Sequence, residues 1–201
     1  MYTDIFSTDR KYDIIYADPP WAYLWGTGKN PGRFCPERHY RTMTTDEICE
    51  LGGTIKRLRE KNCALFLWAT MPCLPEAFKV MTAWGFRYKT CAFTWIKTRK
   101  DGRPIAGMGS YTKSNAELCL LGMRGHIKAA DKTVPQIVLH PRRGHSVKPD
   151  EVMRRIERLF GPSMKRIELF ARRQSDGWDE WGDEAPTMSA DVGLFAGSYR
   201  Y

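Results

Sequence analysis

Short apolar runs bounded by polar or turn-forming residues recur along the chain, at 13–17, 64–70, 90–97, 117–122, 134–139 and 166–170. Runs this short that show no polar face predict buried strands of a parallel or mixed sheet. Between them the apolar spacing changes to three and four. Thr44 and Glu47 form a capping-box pattern ahead of Ile48, Leu51, Ile55 and Leu58, with Gly52 and Gly53 weakening the middle of that helix. Pro75 fits the first turn of a second helix, which turns Ala77, Val80, Met81 and Trp84 inward and ends at Gly85. A third begins at Pro149, buries Val152, Ile156, Leu159 and Phe160, and stops at Gly161 and Pro162. Strands alternating with helices predict an α/β fold, a sheet covered by helices.

Three stretches break this rhythm: the Gly-rich loops at 22–43 and 98–116, and the segment from Gln174 to the last residue, Tyr201. Long loops within an economical chain are frequently functional lids. At 201 residues the chain is one domain's worth, and with 42% apolar and 27% charged residues it is neither disordered nor low-complexity. The net charge of +9 divides unevenly: residues 174–201 carry six acids and one Arg, so residues 1–173 hold +14. A basic body points to a polyanionic partner. The six cysteines include no C-x-x-C pair and lie scattered, which reads as reduced thiols. The four histidines give no zinc spacing, so no metal is expected. The longest apolar run, at 63–71, is far too short to span a membrane, and the polar N-terminus is unlike a signal peptide; a cytoplasmic protein is expected.

Asp18, Pro19, Pro20 and Trp21 follow directly on the run at 13–17. Ligands of open α/β sheets bind just beyond the carboxyl ends of strands, so the place itself is suggestive. On one reading this is a rigid proline turn with Trp21 packed as core. On the other it is a pocket for a flat, amine-bearing ring. Asp18 and a backbone carbonyl, that of Pro19, accept the two N–H bonds of the amine, and the prolines hold both acceptors in place beforehand. Trp21, with Tyr23, then offers a face for stacking.

With RHYRTMTTDEI after it, GHSVKPDEVMRRIERLFGPSMKRIELFARR farther on and WGDE behind, the tetrad makes residues 4–184 resemble the DPPW-type adenine-N6 methyltransferase family. That family includes the catalytic subunit of the mRNA N6-adenosine methyltransferase and small bacterial and phage DNA methyltransferases. The resemblance implies a Rossmann-like fold using S-adenosylmethionine, in a permuted order that puts the DPPW strand before the cofactor strand. It further implies a single catalytic domain over 1–184, and the small, polar composition after that predicts 185–201 as a flexible tail. Asp18 becomes the catalytic carboxylate, near the cofactor's amino group, and Pro19, Pro20 and Trp21 complete the base pocket. Tyr40 closes over the methionine moiety, and Lys148 pairs with the cofactor carboxylate. Leu169 and Phe170 end the cofactor strand, while Arg172, Gln174 and Ser175 hold the ribose. Asp183 and Glu184 reach the ribose hydroxyls and adenine edge, and Asp4 and Ile5 run beside the adenine. The chain departs from the family where Arg173, Gln174 and Ser175 replace Pro-His-Asn and where Asp183 replaces Asn.

A DNA adenine methyltransferase of a bacterial or phage kind is therefore expected, acting on a base that is single-stranded or flipped out of the duplex. Tyr23, Lys29, Arg33 and Arg38 on one loop and Lys97, Arg99, Lys100, Arg103 and Lys113 on the other are the candidate nucleic-acid rim. Arg142, Arg143 and the bases of the third helix are candidates for contacting a partner subunit, in a homodimer. The alternatives are an RNA adenosine substrate and a non-catalytic nucleic-acid-binding subunit.

Overall fold

The computed structural model describes residues 1–22, 42–105, 107, 109, 111–142 and 147–182. Seven strands form one sheet: β1 Tyr12–Ala17, β2 Arg59–Ala69, β3 Arg87–Thr98, β4 Ala116–Arg124, β5 Ile137–Pro141, β6 Arg166–Leu169 and β7 Asp179–Trp181, in the spatial order β5-β3-β4-β2-β1-β6-β7. β4 pairs antiparallel with both β2 and β3, and every other pairing is parallel. β1 sits between β2 and β6 and is buried on both faces, which is why its sequence shows no polar face. This is the expected Rossmann-like methyltransferase architecture, with β1 preceding β6 in the chain.

One face is covered by α1 Thr45–Glu50, α2 Gly52–Leu58 and α3 Leu74–Ala83, and the other by α4 Asp150–Phe160. The capping box forms as expected: Glu47 N donates to Thr44 Oγ1 at 3.2 Å and Thr44 N donates to Glu47 Oε2 at 2.7 Å. The single helix expected after it is divided at Leu51 into α1 and α2. Gly52 is there because of close packing: a Cβ on it would lie 2.7 Å from the carbonyl oxygen of Ala83 at the end of α3. Trp84 ties the same corner by donating Nε1–H to Ile48 O at 2.8 Å. α4 buries Val152, Met153, Ile156 and Phe160, begins one residue later than expected with Pro149 as its N-cap, and ends at Gly161 in a left-handed conformation, φ 90°.

The strand order brings the site together. From β1 the chain passes to β2 on one side, whereas β6 lies on the other, so a crevice opens between β1 and β6 at their carboxyl ends. β4 runs the opposite way, and its first residues therefore share that end with the last residues of β2 and β3.

Candidate active site

Asp18 follows β1 at this crevice. The turn after it is held by backbone bonds: Trp21 N donates to Pro19 O at 2.9 Å, Met43 N to Pro20 O at 2.8 Å and Ala22 N to Met43 O at 2.9 Å. Proline cannot donate, so the turn spends no N–H at Pro19 or Pro20 and leaves their carbonyls to accept. Trp21 is 5% exposed and donates Nε1–H to Trp68 O at 3.0 Å. Trp68, on β2, donates in turn to the Tyr16 hydroxyl at 2.7 Å.

Four side chains of alternating charge run from Asp18 along the end of the sheet. Lys148 Nζ lies 2.7 Å from Asp18 Oδ2 and 3.2 Å from Glu117 Oε2, and Glu117 Oε1 takes Lys97. Lys148 also stands 5.4 Å above the Trp68 ring. All four are mostly buried, with side-chain exposures of 8% for Lys148, 9% for Glu117, 19% for Asp18 and 22% for Lys97. Burial works against each charge, and pairing answers it. At Lys148 burial is outweighed by Asp18 and Glu117, which push the ammonium above its ordinary value. At Glu117 burial is outweighed by Lys148 and Lys97, which hold the carboxyl low. At Asp18 burial wins over Lys148 and raises the carboxyl, with Glu117 adding to the rise.

On the α4 side of Asp18 lies a cavity of about 280 Å³, lined by Tyr16, Lys148, Met153, Glu168, Phe170 and Arg172 among others. Glu168, on β6, is raised to about 8 by burial first and then by Asp18 and Glu180. It is thus an acid held neutral at the mouth of a strand, beside a second carboxylate and a buried cation. Phe170, directly after β6, has φ 63°, a left-handed conformation rare for an aromatic residue. Outliers of this kind concentrate at ligand sites.

The Glu168 shift has a pH signature. Between its ordinary value of 4.5 and about 8 the unfolded chain has released this proton while the folded chain keeps it, so folding stability falls as pH rises through that window. Glu168→Gln removes the dependence. The gap in Tm, variant minus wild type, is expected to widen from pH 5 to pH 8 and then level off. A gap that stays flat or narrows in thermal melts contradicts the assignment.

The model of the MT-A70 family matches residues 12–184. The chain belongs to the MT-A70 family. It is 32% identical to the type II methyltransferase M.MunI of Mycoplasma sp, over 91% of this chain and 82% of that protein. It is 27% identical to an N(6)-adenosine-methyltransferase MT-A70-like protein of Arabidopsis thaliana, over 90% of this chain and 24% of that one. With the human N(6)-adenine-specific methyltransferase METTL4 the figures are 25%, 87% and 38%. The chain thus corresponds to most of the Mycoplasma protein and to a minor part of the plant and human ones.

Of the residues that the MT-A70 resemblance singles out, Asp18, Lys148, Phe170 and Arg172 line one cavity, and Leu169 is buried in the sheet beside it. Tyr23, Lys29, Arg33, Arg38, Tyr40, Arg143, Asp183 and Glu184 lie outside the described residues. Asp4 and Ile5 come next to β7, because Tyr2 bridges Glu180 in parallel; Ile5 is fully buried, and Asp4 caps a turn by accepting from Phe6 N and Ser7 Oγ.

Four expectations need correction. Trp21 does not present a stacking face in this arrangement, since its ring is covered by the core and it props the proline turn. Lys97 is not a free phosphate ligand, because its ammonium is taken by Glu117. Gln174 and Ser175 line a different cavity, near Tyr12 and Lys165, at the amino ends of β1 and β6. β6 and β7 are parallel, so the connection between them must run back along the sheet, leaving Phe170, Arg172 and Arg173 at the cavity of the carboxyl end. The α4 bases serve the fold: Arg155 binds Glu151 and the carbonyls of Pro135 and Ile137, Arg158 binds Asp131, and Arg154 binds Glu151.

By contrast Arg99, Lys100, Arg103 and Lys113 are exposed on the segment joining β3 to β4, at the carboxyl end of β3. Glu117 and Glu168 escaped the sequence reading. Each is an isolated acid at a strand end, and only the spatial neighbours give it a role.

Proposed function

We propose that the protein transfers a methyl group from S-adenosylmethionine to the exocyclic N6 amine of adenine in DNA. The observation that carries the reading is Asp18 at the carboxyl end of β1, 2.7 Å from a buried Lys148 and beside a cavity with a second carboxylate. MT-A70 membership and the similarity to a type II methyltransferase support it.

The cavity's groups fit the amino-acid end of the cofactor. Lys148 would hold its carboxylate and Asp18 its ammonium, with the neutral carboxyl of Glu168 beside them as a hydrogen-bonding group. When bound, S-adenosylmethionine supplies an electrophilic methyl group. The chain's own residues do the rest. The adenine amine is a poor nucleophile because its lone pair is delocalised into the ring. Lys148 engages Asp18 through Oδ2, and Asp18 Oδ1 accepts one N–H of the amine. The lone pair of Pro19 O not used by Trp21 N–H accepts the other. Two acceptors fixed before the base arrives draw the nitrogen toward tetrahedral geometry and favour the charge that develops on it. The proton leaves after methyl transfer, so no strong base is needed during attack.

Arg99, Lys100, Arg103 and Lys113 are assigned to the DNA backbone. Replacing Arg99, Lys100 and Arg103 together by Ala is expected to raise KM for DNA with kcat little changed, and to flatten the slope of log affinity against log salt by about 3. The direct test of the function is incubation of matched DNA and RNA oligonucleotides with labelled S-adenosylmethionine, followed by sequencing for N6-methyladenine. Label on DNA adenine N6 is expected. Label on RNA alone moves the substrate to RNA, and no label on either, with active controls, overturns the reading.

A further inference from the structure

At the opposite pole of the sheet lies a second cavity of about 540 Å³, larger than the one beside Asp18. It is formed where β1 and β6 begin and where the chain turns into β7. Its wall includes Arg10, Lys11, Lys165 and Arg166 against Asp176 and Asp179.

Arg166 is the unusual member. It is 8% exposed, and its guanidinium lies 5.8 Å from the centre of the Trp178 ring. Nη2 donates to Pro162 O at 2.7 Å, whereas Nε and Nη1 are enclosed and have no hydrogen-bond partner among the described residues. A buried guanidinium is ordinarily satisfied by a carboxylate or carbonyls, because its donors cannot be left dry without cost. Here the neighbouring acids are engaged elsewhere. Asp179 Oδ2 takes both Arg10 Nη1 at 2.9 Å and the Tyr12 hydroxyl at 2.8 Å. Glu180 Oε1 takes Ser175 N, and Glu157 Oε1 takes Trp178 Nε1. Asp176 is exposed to solvent. Cationic donors therefore outnumber acceptors along this wall.

We propose that this cavity is a binding site for a phosphate-bearing small ligand, with Arg166 as its anchor and Lys165, 67% exposed at the rim, as a second contact. Phosphate suits the site better than a single carboxylate, since setting aside the Arg10–Asp179 pair leaves Lys11, Lys165 and Arg166 against Asp176, with Lys165 held only loosely by Glu60 at 3.8 Å. The volume is within the range of cavities that hold a mononucleotide. The site lies at the amino ends of strands whose carboxyl ends carry Asp18 and Arg172, so a ligand here and a base at Asp18 do not compete for space. The proposal does not depend on the methyl-transfer reading.

Calorimetric titration of the full chain, saturated with S-adenosylmethionine to occupy the catalytic cavity, tests it with inorganic phosphate, AMP and adenosine as separate probes. Phosphate and AMP are expected to bind and adenosine not to; binding of AMP alone assigns the site to a phosphate ester and binding of phosphate as well to the free ion too. Arg166→Met is expected to weaken binding at least about ten-fold, the loss of a charge-assisted hydrogen bond. Circular dichroism and methyl transfer report whether that variant is folded. Lys165→Ala, on an exposed side chain, is expected to weaken binding several-fold without touching the fold. Failure of both phosphate and AMP to bind, or equal binding to wild type and both variants, overturns the proposal.

Discussion

Lys148→Met is expected to destabilise the protein by about 3–5 kcal/mol and to abolish measurable cofactor binding. The ammonium bridges two mostly buried carboxylates, 2.7 Å from Asp18 and 3.2 Å from Glu117. Methionine fills similar space with no charge. Asp18 then loses the largest opposition to its burial, and its carboxyl rises further. Glu117 keeps Lys97, which limits the damage on that side. A loss of this size is a large fraction of a domain's total stability of about 5–15 kcal/mol, so denaturant melts will show it clearly. Because unfolded protein also binds no cofactor, binding is measured without denaturant, well below the variant's Tm. A variant as stable as wild type would mean that the buried charges do not depend on Lys148.

Asp18→Ala is the second large effect, and its character is opposite. Lys148 keeps Glu117 as a partner, so the fold survives. On the proposed reading the variant lacks one acceptor for the amine, and kcat is expected to fall by about 10²–10³-fold, the typical cost of deleting one preorganised transition-state hydrogen bond. Affinity for S-adenosylmethionine is expected to change by no more than about ten-fold, since one hydrogen-bonding contact is lost. Single-turnover methyl transfer and calorimetry on the same preparation separate the two quantities. Normal turnover in the variant would remove Asp18 from the catalytic role.

The strand cores were legible because β1 and the inner part of β2 are buried on both faces and read as continuous apolar runs. β7 was not legible. Asp179–Trp181 is three residues long, two of them acidic, and is held as a strand by pairing with β6 and by the bonds from Thr3 N to Glu180 O and from Glu180 N to Met1 O. The polar start of β2, Arg59–Asn62, likewise gains its strand character from the partner at Tyr12 and from the continuing ladder. At the site, Asp18 and Lys148 stood out because motifs surround them. Glu117 did not, since nothing local marks it, and its importance comes from β4 running against its neighbours and bringing its first residues to the catalytic end. The ribose loop was misplaced for the complementary reason: spacing after RIELF matches the family, but parallel β6 and β7 compel the chain to return to the far side before Asp179.

The position of β1 between β2 and β6 also has a kinetic consequence. Its neighbour on one side, Arg59–Ala69, follows soon after it in the chain, whereas its neighbour on the other, Arg166–Leu169, is synthesised only after β2, β3, β4 and β5. Until then Ile14, Tyr16 and Asp18 line an open sheet edge, and Arg172 and Glu168 are missing from the crevice. A nascent chain on the ribosome can therefore build the β1–β4 half early, but it must wait for that distant pairing, at a considerable loop-closure cost, before the crevice beside Asp18 is complete. That crevice is completed only by this late pairing.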